Sequence, residues 1–127
     1  MRETPLAVLL IDDDVFTRDL FRLVFDHHRL PFAAAQSPEE AVTHLETLSP
    51  NVVVIDLVLQ DTDGYQVLEE LRARTKAKNI CFVATTAYYT DLTRVQVRER
   101  GFHGYLPKPY RVDTLVASLA EFRKQVN

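Results

Sequence analysis

The sequence predicts an α/β fold: a single doubly wound parallel sheet of five strands with helices on both faces. Three observations carry this. Short apolar runs and amphipathic stretches alternate five times along the chain. Successive apolar runs begin about 25 residues apart, which suits parallel strands joined by helical crossovers, right-handed by default. Five such units fall short of the eight that close a barrel, so the sheet stays open.

Leu6–Ile11 (LAVLLI) is a continuous apolar run, as a strand covered on both faces requires. Phe16, Leu20, Leu23 and Val24 follow at i, i+4, i+7, i+8, the spacing of an amphipathic helix. A weaker strand spans roughly Pro31–Ala35. Ser37-Pro38-Glu39-Glu40 then supplies a cap, a proline at the first helical position and a capping-box glutamate. Ala41, Val42, Leu45 and Leu48 give that helix its inner face. Val52–Ile55 is the third strand and ends at Asp56, and a loop over 57–63 leads to a helix marked by Val67, Leu68 and Leu71. Ile80–Ala84 is the fourth strand. The fourth helix, about Tyr89–Arg100, is less clearly patterned and stops at Gly101, a natural residue just past a helix end. Phe102–Leu106 is the fifth strand, and Leu115, Val116, Leu119 and Phe122 carry the last helix.

At 127 residues the chain is expected to be one domain over 1–127, with a core of about 6–124 that buries roughly two-thirds of its unfolded surface. With 46% apolar and 26% charged residues it is neither disordered nor collagen-like, and no stretch approaches the roughly 18 apolar residues of a membrane span. The first ten residues lack the basic start and long apolar core of a signal peptide, so a cytoplasmic protein is expected. The single cysteine, Cys81, excludes an internal disulfide and a Cys-rich zinc site; its neighbours Ile80, Phe82 and Val83 make it a buried hydrophobe. The net charge of −3 argues against a dedicated nucleic-acid binder. It hides an asymmetry: residues 1–63 hold 12 acidic and 4 basic side chains, residues 64–127 hold 6 and 11. Two solvated surfaces of opposite sign would account for that, except that several acids stand at strand ends.

In an open α/β sheet, ligands bind beyond the carboxyl ends of the strands. There the first strand offers Asp12-Asp13-Asp14, the third Asp56, the fourth Thr85-Thr86, and the fifth Lys108 between Pro107 and Pro109. Two carboxylates about 4 Å apart repel by roughly 4 kcal/mol at an effective dielectric near 20. Lys108 offsets one charge, and a hard divalent cation would offset the rest. Carboxylates without His or Cys select Mg²⁺ over zinc or copper, and Asp61-Thr62-Asp63-Gly64 lacks the spacing and terminal glutamate of a calcium loop. Taken singly, each acid could be a helix cap, the threonines could be ordinary strand formers, and Lys108 a solvated lysine in a turn. Their shared edge favours a site.

The segments LLIDDD (9–14), VVVIDLVLQDTDG (52–64), VATTA (83–87) and GYLPKPY (104–110) together resemble the response-regulator receiver domain of two-component signalling. The resemblance covers Leu6 to about Lys124. It implies a flavodoxin-like sheet of order 2-1-3-4-5 and a phosphoacceptor, Asp56, that accepts a phosphoryl group from the phosphohistidine of a histidine kinase or phosphotransfer protein. It implies Mg²⁺ held by Asp12, Asp13, Asp56 and the Val58 carbonyl, with Asp13 the more direct of the paired acids. Thr86 becomes the switch hydroxyl, Tyr105 the switch aromatic, and Lys108 the partner of the phosphoryl group, followed by a cis bond to Pro109. Val58 and Tyr88 occupy positions that tune dephosphorylation; both are bulky and neither can position a water, which implies slow loss of the phosphoryl group. The family is a signalling domain with no separate-substrate turnover. Output is expected through the surface of the fourth helix, fifth strand and fifth helix, toward a downstream protein, an attached output domain or a second copy, with no direct nucleic-acid or membrane contact. Arg94, Arg98, Arg100 and Arg111 make that side basic, although solvated arginines would do the same.

Some residues depart from the pattern. Gln60 stands where the family commonly has proline, and Asp14 suits a helix cap better than a ligand. Asp12-x-Asp14-Val15 also resembles the nucleophile motif of a haloacid-dehalogenase-like phosphohydrolase, but the usual following glycine and a late acidic pair are missing. A receiver-like interaction module that is never phosphorylated is a third alternative. Three glycines, Gly64, Gly101 and Gly104, form no phosphate-cradling loop, which disfavours a nucleotide or flavin binder.

Overall fold

A computed structural model of the chain describes residues 5–75, 79–88 and 90–126. Strands and helices alternate throughout: β1 (Val8–Ile11), α1 (Val15–His27), β2 (Phe32–Ala35), α2 (Pro38–Leu48), β3 (Val52–Asp56), α3 (Gly64–Arg74), β4 (Cys81–Thr86), α4 (Asp91–Glu99), β5 (Gly104–Pro107) and α5 (Leu115–Lys124). The strands pair in parallel in the order β2-β1-β3-β4-β5. This is the doubly wound, flavodoxin-like sheet the sequence implies.

The central strands are apolar on both faces because both faces are covered. Leu9, Ile11, Val53 and Ile55 point to one side, where Ala41, Val67, Leu68, Leu71 and Val97 from α2, α3 and α4 close over them. Val8, Leu10, Val52 and Val54 point to the other, against Phe21, Val24 and Phe25 of α1 and Leu115 and Leu119 of α5. Cys81 lies in this second core, fully buried, and burial pushes its thiol up to about 12.

Caps stop and start the helices where the sequence suggests. Asp14, Ser37 and Asp63 accept N–H bonds from Phe16, Glu40 and Gln66. Glu40 reaches back to the N–H of Gln36 rather than to that of the cap residue, Ser37. Gly101, with φ of +109°, follows α4 in a backbone conformation other residues rarely adopt.

Several expectations shift. Phe16 and Leu23 do not pack inward: they are 79% and 71% exposed, and the buried face of α1 is Thr17, Phe21, Val24 and Phe25. The helix carries two overlapping apolar stripes, and the sheet takes the one with two phenylalanines. Phe21 and Phe25 stack at 6.1 Å, and Phe21 meets Tyr110 edge-on at 5.0 Å. β4 runs on through Thr86, and β5 begins at Gly104 rather than Phe102. Just before it His103 supplies a rung with its side chain: its Nδ1 accepts the Phe82 N–H at 3.0 Å, and the His103 backbone N–H donates to the Phe82 carbonyl. α4 begins at Asp91 behind Thr90, while Tyr89 lies outside the described residues. Its weak pattern has a simple cause, since Thr93 and Val97 alone are buried.

Candidate functional site

Register assembles the site before any side chain is placed. Ile11 pairs with Ile55, so Asp12, just beyond β1, lies level with Asp56 at the end of β3. Asp56 pairs with Thr85, Thr86 with Pro107, and the Lys108 N–H donates to the Thr86 carbonyl at 3.2 Å. Four strand ends therefore meet at one edge, the crevice expected of a doubly wound sheet.

Side chains then close the gap. Lys108 Nζ lies 3.0 Å from Asp12 Oδ2 and 3.1 Å from Asp56 Oδ2, bridging two buried carboxylates. The opposite oxygens are held by main chain: Asp12 Oδ1 accepts the Asp14 N–H at 2.9 Å, and Asp56 Oδ1 accepts the Val58 N–H at 3.0 Å. Asp13, more exposed, accepts the Gln60 N–H at 2.7 Å. One oxygen from each of Asp12, Asp13 and Asp56 lies within 4.8 Å of the others. An all-oxygen set this close, served by one ammonium, fits a hard cation such as Mg²⁺. The peptide between Lys108 and Pro109 is cis, as the resemblance implies.

Electrostatics follow the packing. Burial raises the Asp12 carboxyl above its ordinary value, and the Asp56 charge adds to this against the Asp14 N–H and Lys108. Burial lowers the Lys108 ammonium, but Asp12 and Asp56 outweigh it and raise it overall. Asp14 is held low, chiefly by the Thr17 hydroxyl at 2.7 Å. Asp14 thus caps α1 and lies outside the carboxylate group, which removes the second acid that a phosphohydrolase motif would need in the pocket.

Thr86 is buried, and its Oγ1 accepts the Tyr88 N–H at 3.1 Å. Tyr105 is part-buried on the neighbouring strand, its hydroxyl 3.5 Å from the Thr86 carbonyl, the far limit of a hydrogen bond. Val58 and Tyr88, each two residues beyond Asp56 and Thr86, are 52% and 75% exposed. Of the basic group, Arg94 and Arg98 line a groove with Val97, Tyr105 and Phe122, but Arg100 turns to α3, pairing with Glu69 at 3.5 Å and stacking over Tyr65 at 4.4 Å. Arg111 pairs with Asp113.

Three contributors escaped sequence reasoning. Arg18 donates to the Asp12 carbonyl at 2.9 Å, and nothing in a lone arginine on a helix signals that. Tyr110 shares a 2.7 Å hydroxyl contact with Thr85, pinning the segment after Lys108 to β4; a tyrosine two residues past the lysine was the available hint. Gly64 packs so close to β3 that an added Cβ would lie 2.5 Å from the Asp56 carbonyl oxygen.

The family model of the response regulator receiver domain matches residues 8–120. The chain belongs to this family. Receiver domains are signalling domains that bind Mg²⁺ at an acidic pocket, and the pocket here has the oxygens for it. A 14.6 kDa uncharacterized protein of Leptolyngbya boryana is 31% identical over 104 residues, 82% of this chain and 79% of that one. The transcriptional regulatory protein TrcR of Mycobacterium tuberculosis is 28% identical over 116 residues, 91% of this chain but 44% of its own length. This receiver thus spans under half of that relative. In fold it is similar to the chemotaxis response regulator CheY4 of Vibrio cholerae (TM-score 0.82, 19% identity, 94% and 99% of the two chains). The receiver domain of Francisella response regulator 1452 superimposes at TM-score 0.80 with 24% identity, covering 98% of this chain and 100% of that one. No helix among the described residues is long and apolar enough to cross a membrane.

Proposed function

We propose that this receiver accepts a phosphoryl group on Asp56 from the phosphohistidine of a histidine kinase or phosphotransfer protein. One observation carries the proposal: Lys108 Nζ bridges Asp12 and Asp56 at 3.0 and 3.1 Å beside a cluster of three carboxylates. Phosphoryl transfer depends on an in-line nucleophile and on charge neutralisation more than on covalent help. An Asp56 oxygen forms the new bond to phosphorus as the phosphorus–nitrogen bond breaks, and the imidazole leaves with the electron pair. The Val58 N–H and Lys108 hold the attacking carboxylate, and Lys108 stays to neutralise the equatorial oxygens. Asp12, Asp13, Asp56 and the Val58 carbonyl would hold Mg²⁺. When bound, the ion neutralises charge on the transferring group and on the acids.

The product is an acyl phosphate of about −2 charge. It competes for the Thr86 hydroxyl, Tyr105 turns into the space released, and the α4–β5–α5 surface changes. The partners of that surface are a downstream protein, an attached output domain or a second copy, without direct nucleic-acid or membrane contact. We assign the receiver to residues 1–127, core about 6–124, and place it in the cytoplasm.

Intact mass after incubation with Mg²⁺ and acetyl phosphate tests this. A single phosphoryl adduct is expected, absent from Asp56→Asn. No adduct in the wild type, or one that persists in the variant, refutes it.

A further inference from the structure

We propose that Tyr65 carries a second route from the phosphorylation site to the α4–β5–α5 surface, separate from Thr86 and Tyr105. The inference rests on Asp56 being the phosphoacceptor and adds a way for that event to be felt elsewhere. The route begins at the Val58 N–H, which donates to Asp56 Oδ1 at 3.0 Å. Phosphorylation moves charge from that carboxyl to the phosphoryl oxygens, so Val58 loses a charged acceptor and the β3–α3 loop must reset. The loop is closed on itself: Val58 and Asp63 form an antiparallel bridge, and the Gly64 N–H donates to the Leu57 carbonyl at 3.0 Å. A shift at Val58 therefore reaches the start of α3. Gly64 has no slack to absorb it, since even an added Cβ would lie 2.5 Å from the Asp56 carbonyl oxygen.

Tyr65 is the next residue, and its ring is where α3 meets the end of α4. The Arg100 guanidinium, at the C-cap of α4, lies over that ring at 4.4 Å, and the Phe102 ring meets it edge-on at 5.9 Å. Glu69 pairs with Arg100 at 3.5 Å, but both side chains are exposed, so the ring is the stronger hold. Arg72, two turns further along α3, donates to the Gly101 carbonyl. Gly101, with its positive φ, makes the turn after α4, and Phe102 is buried just ahead of β5. Close-packed contacts of this kind pass a displacement on. Turning Tyr65 thus moves Arg100 and Phe102, and with them the join of α4 to β5, without any change at Thr86.

Hydrogen exchange of the full chain in Mg²⁺, with and without acetyl phosphate, tests this, with intact mass confirming the adduct in each sample. The Gly101 and Phe102 amides, bonded to the Arg98 and Val97 carbonyls, report the Tyr65 route, and the Tyr88 amide, bonded to Thr86 Oγ1, reports the other. Phosphorylation should change exchange at all three in wild type. Tyr65→Leu keeps apolar bulk but removes the ring. It should cut the response at Gly101 and Phe102 by about twofold or more, the scale of coupling such networks carry, and leave that at Tyr88. Tyr65→Phe, which keeps the ring, should match wild type. Arg100→Met, at an exposed side chain, should also cut the response, and it decides the matter if Tyr65→Leu fails to fold. An undiminished response at Gly101 and Phe102 in these variants, or one lost equally at Tyr88, overturns the route. A wild type that takes no phosphoryl group overturns the phosphoacceptor reading and the route with it; a wild type that takes one and responds at Tyr88 alone overturns only the route.

Discussion

Replacing Lys108 by methionine keeps the apolar stem and removes the charge that Asp12 and Asp56 share. At about 3 Å and an effective dielectric near 20, each of its two contacts has a gross attraction of roughly 5 kcal/mol. Desolvation cancels most of that, and breaking a buried pair from one side typically costs about 3–5 kcal/mol. The two acids have one escape, which sets a ceiling. Asp12, already raised by burial, can take a proton; at pH 7, against its unfolded value of 3.8, this costs about 4 kcal/mol. The expected loss is therefore about 2–4 kcal/mol at pH 7 without metal. In the variant the folded protein binds more protons than the unfolded chain between 3.8 and the raised Asp12 value, so its stability falls as pH rises through that window. At pH 5 the ceiling drops to roughly 1.6 kcal/mol, and the gap to wild type narrows. Urea unfolding in chelator at pH 5, 6 and 7 measures this. Equal stability at pH 7, or a gap that persists undiminished at pH 5, would refute the reasoning.

Gly64→Ala drives a methyl group to 2.5 Å from the Asp56 carbonyl oxygen and 2.7 Å from Leu57 Cα, both main chain. It should cost about 1–3 kcal/mol in urea melts and slow phosphorylation by acetyl phosphate. His103 accepts the Phe82 N–H only while neutral, and burial, then Arg72, lowers its value below 6.5. Its contribution should be full above pH 6.5 and lost as pH falls through the lowered folded value, and His103→Ala should abolish that slope and lose about 1–3 kcal/mol at pH 8. With bulky, exposed Val58 and Tyr88 each two residues beyond Asp56 and Thr86, the phosphoryl group in Mg²⁺ should last minutes or longer; intact-mass time courses showing decay in seconds would contradict this.

The architecture was legible because apolar runs and strand spacing leave few solutions, and the strand-end rule turned Asp12, Asp56 and Lys108 into one location. Their roles came from the family resemblance, not from spacing. What stayed hidden was phase and main chain. α1 carries two apolar stripes sharing Val24, and only the sheet's shape favours Phe21 and Phe25 over Phe16 and Leu23. The Gln60 N–H on Asp13 is a property of backbone position, and the Arg18 guanidinium reaches a main-chain carbonyl, that of Asp12, which every residue carries. His103 continues the β4–β5 ladder with a side chain, so the strand starts later than its apolar pattern suggests.

The proposed switch is limited by its own hydrogen bonds. Thr86 now engages a neutral partner, the Tyr88 N–H at 3.1 Å, a bond with a net value of about 1 kcal/mol. A phosphoryl oxygen offers a charge-assisted bond of roughly twice that. The exchange therefore gains about 1 kcal/mol, which alone shifts a two-state equilibrium less than tenfold, whereas moving it from 1:99 to 99:1 takes roughly 5.5 kcal/mol. The rest of a full switch must come from Lys108, which has to divide its charge anew between Asp12 and a far more negative Asp56, or from a partner that binds one arrangement of α4, β5 and α5 in preference. In this receiver, phosphorylation and partner binding are therefore expected to strengthen each other, because neither term alone is large enough to complete the change.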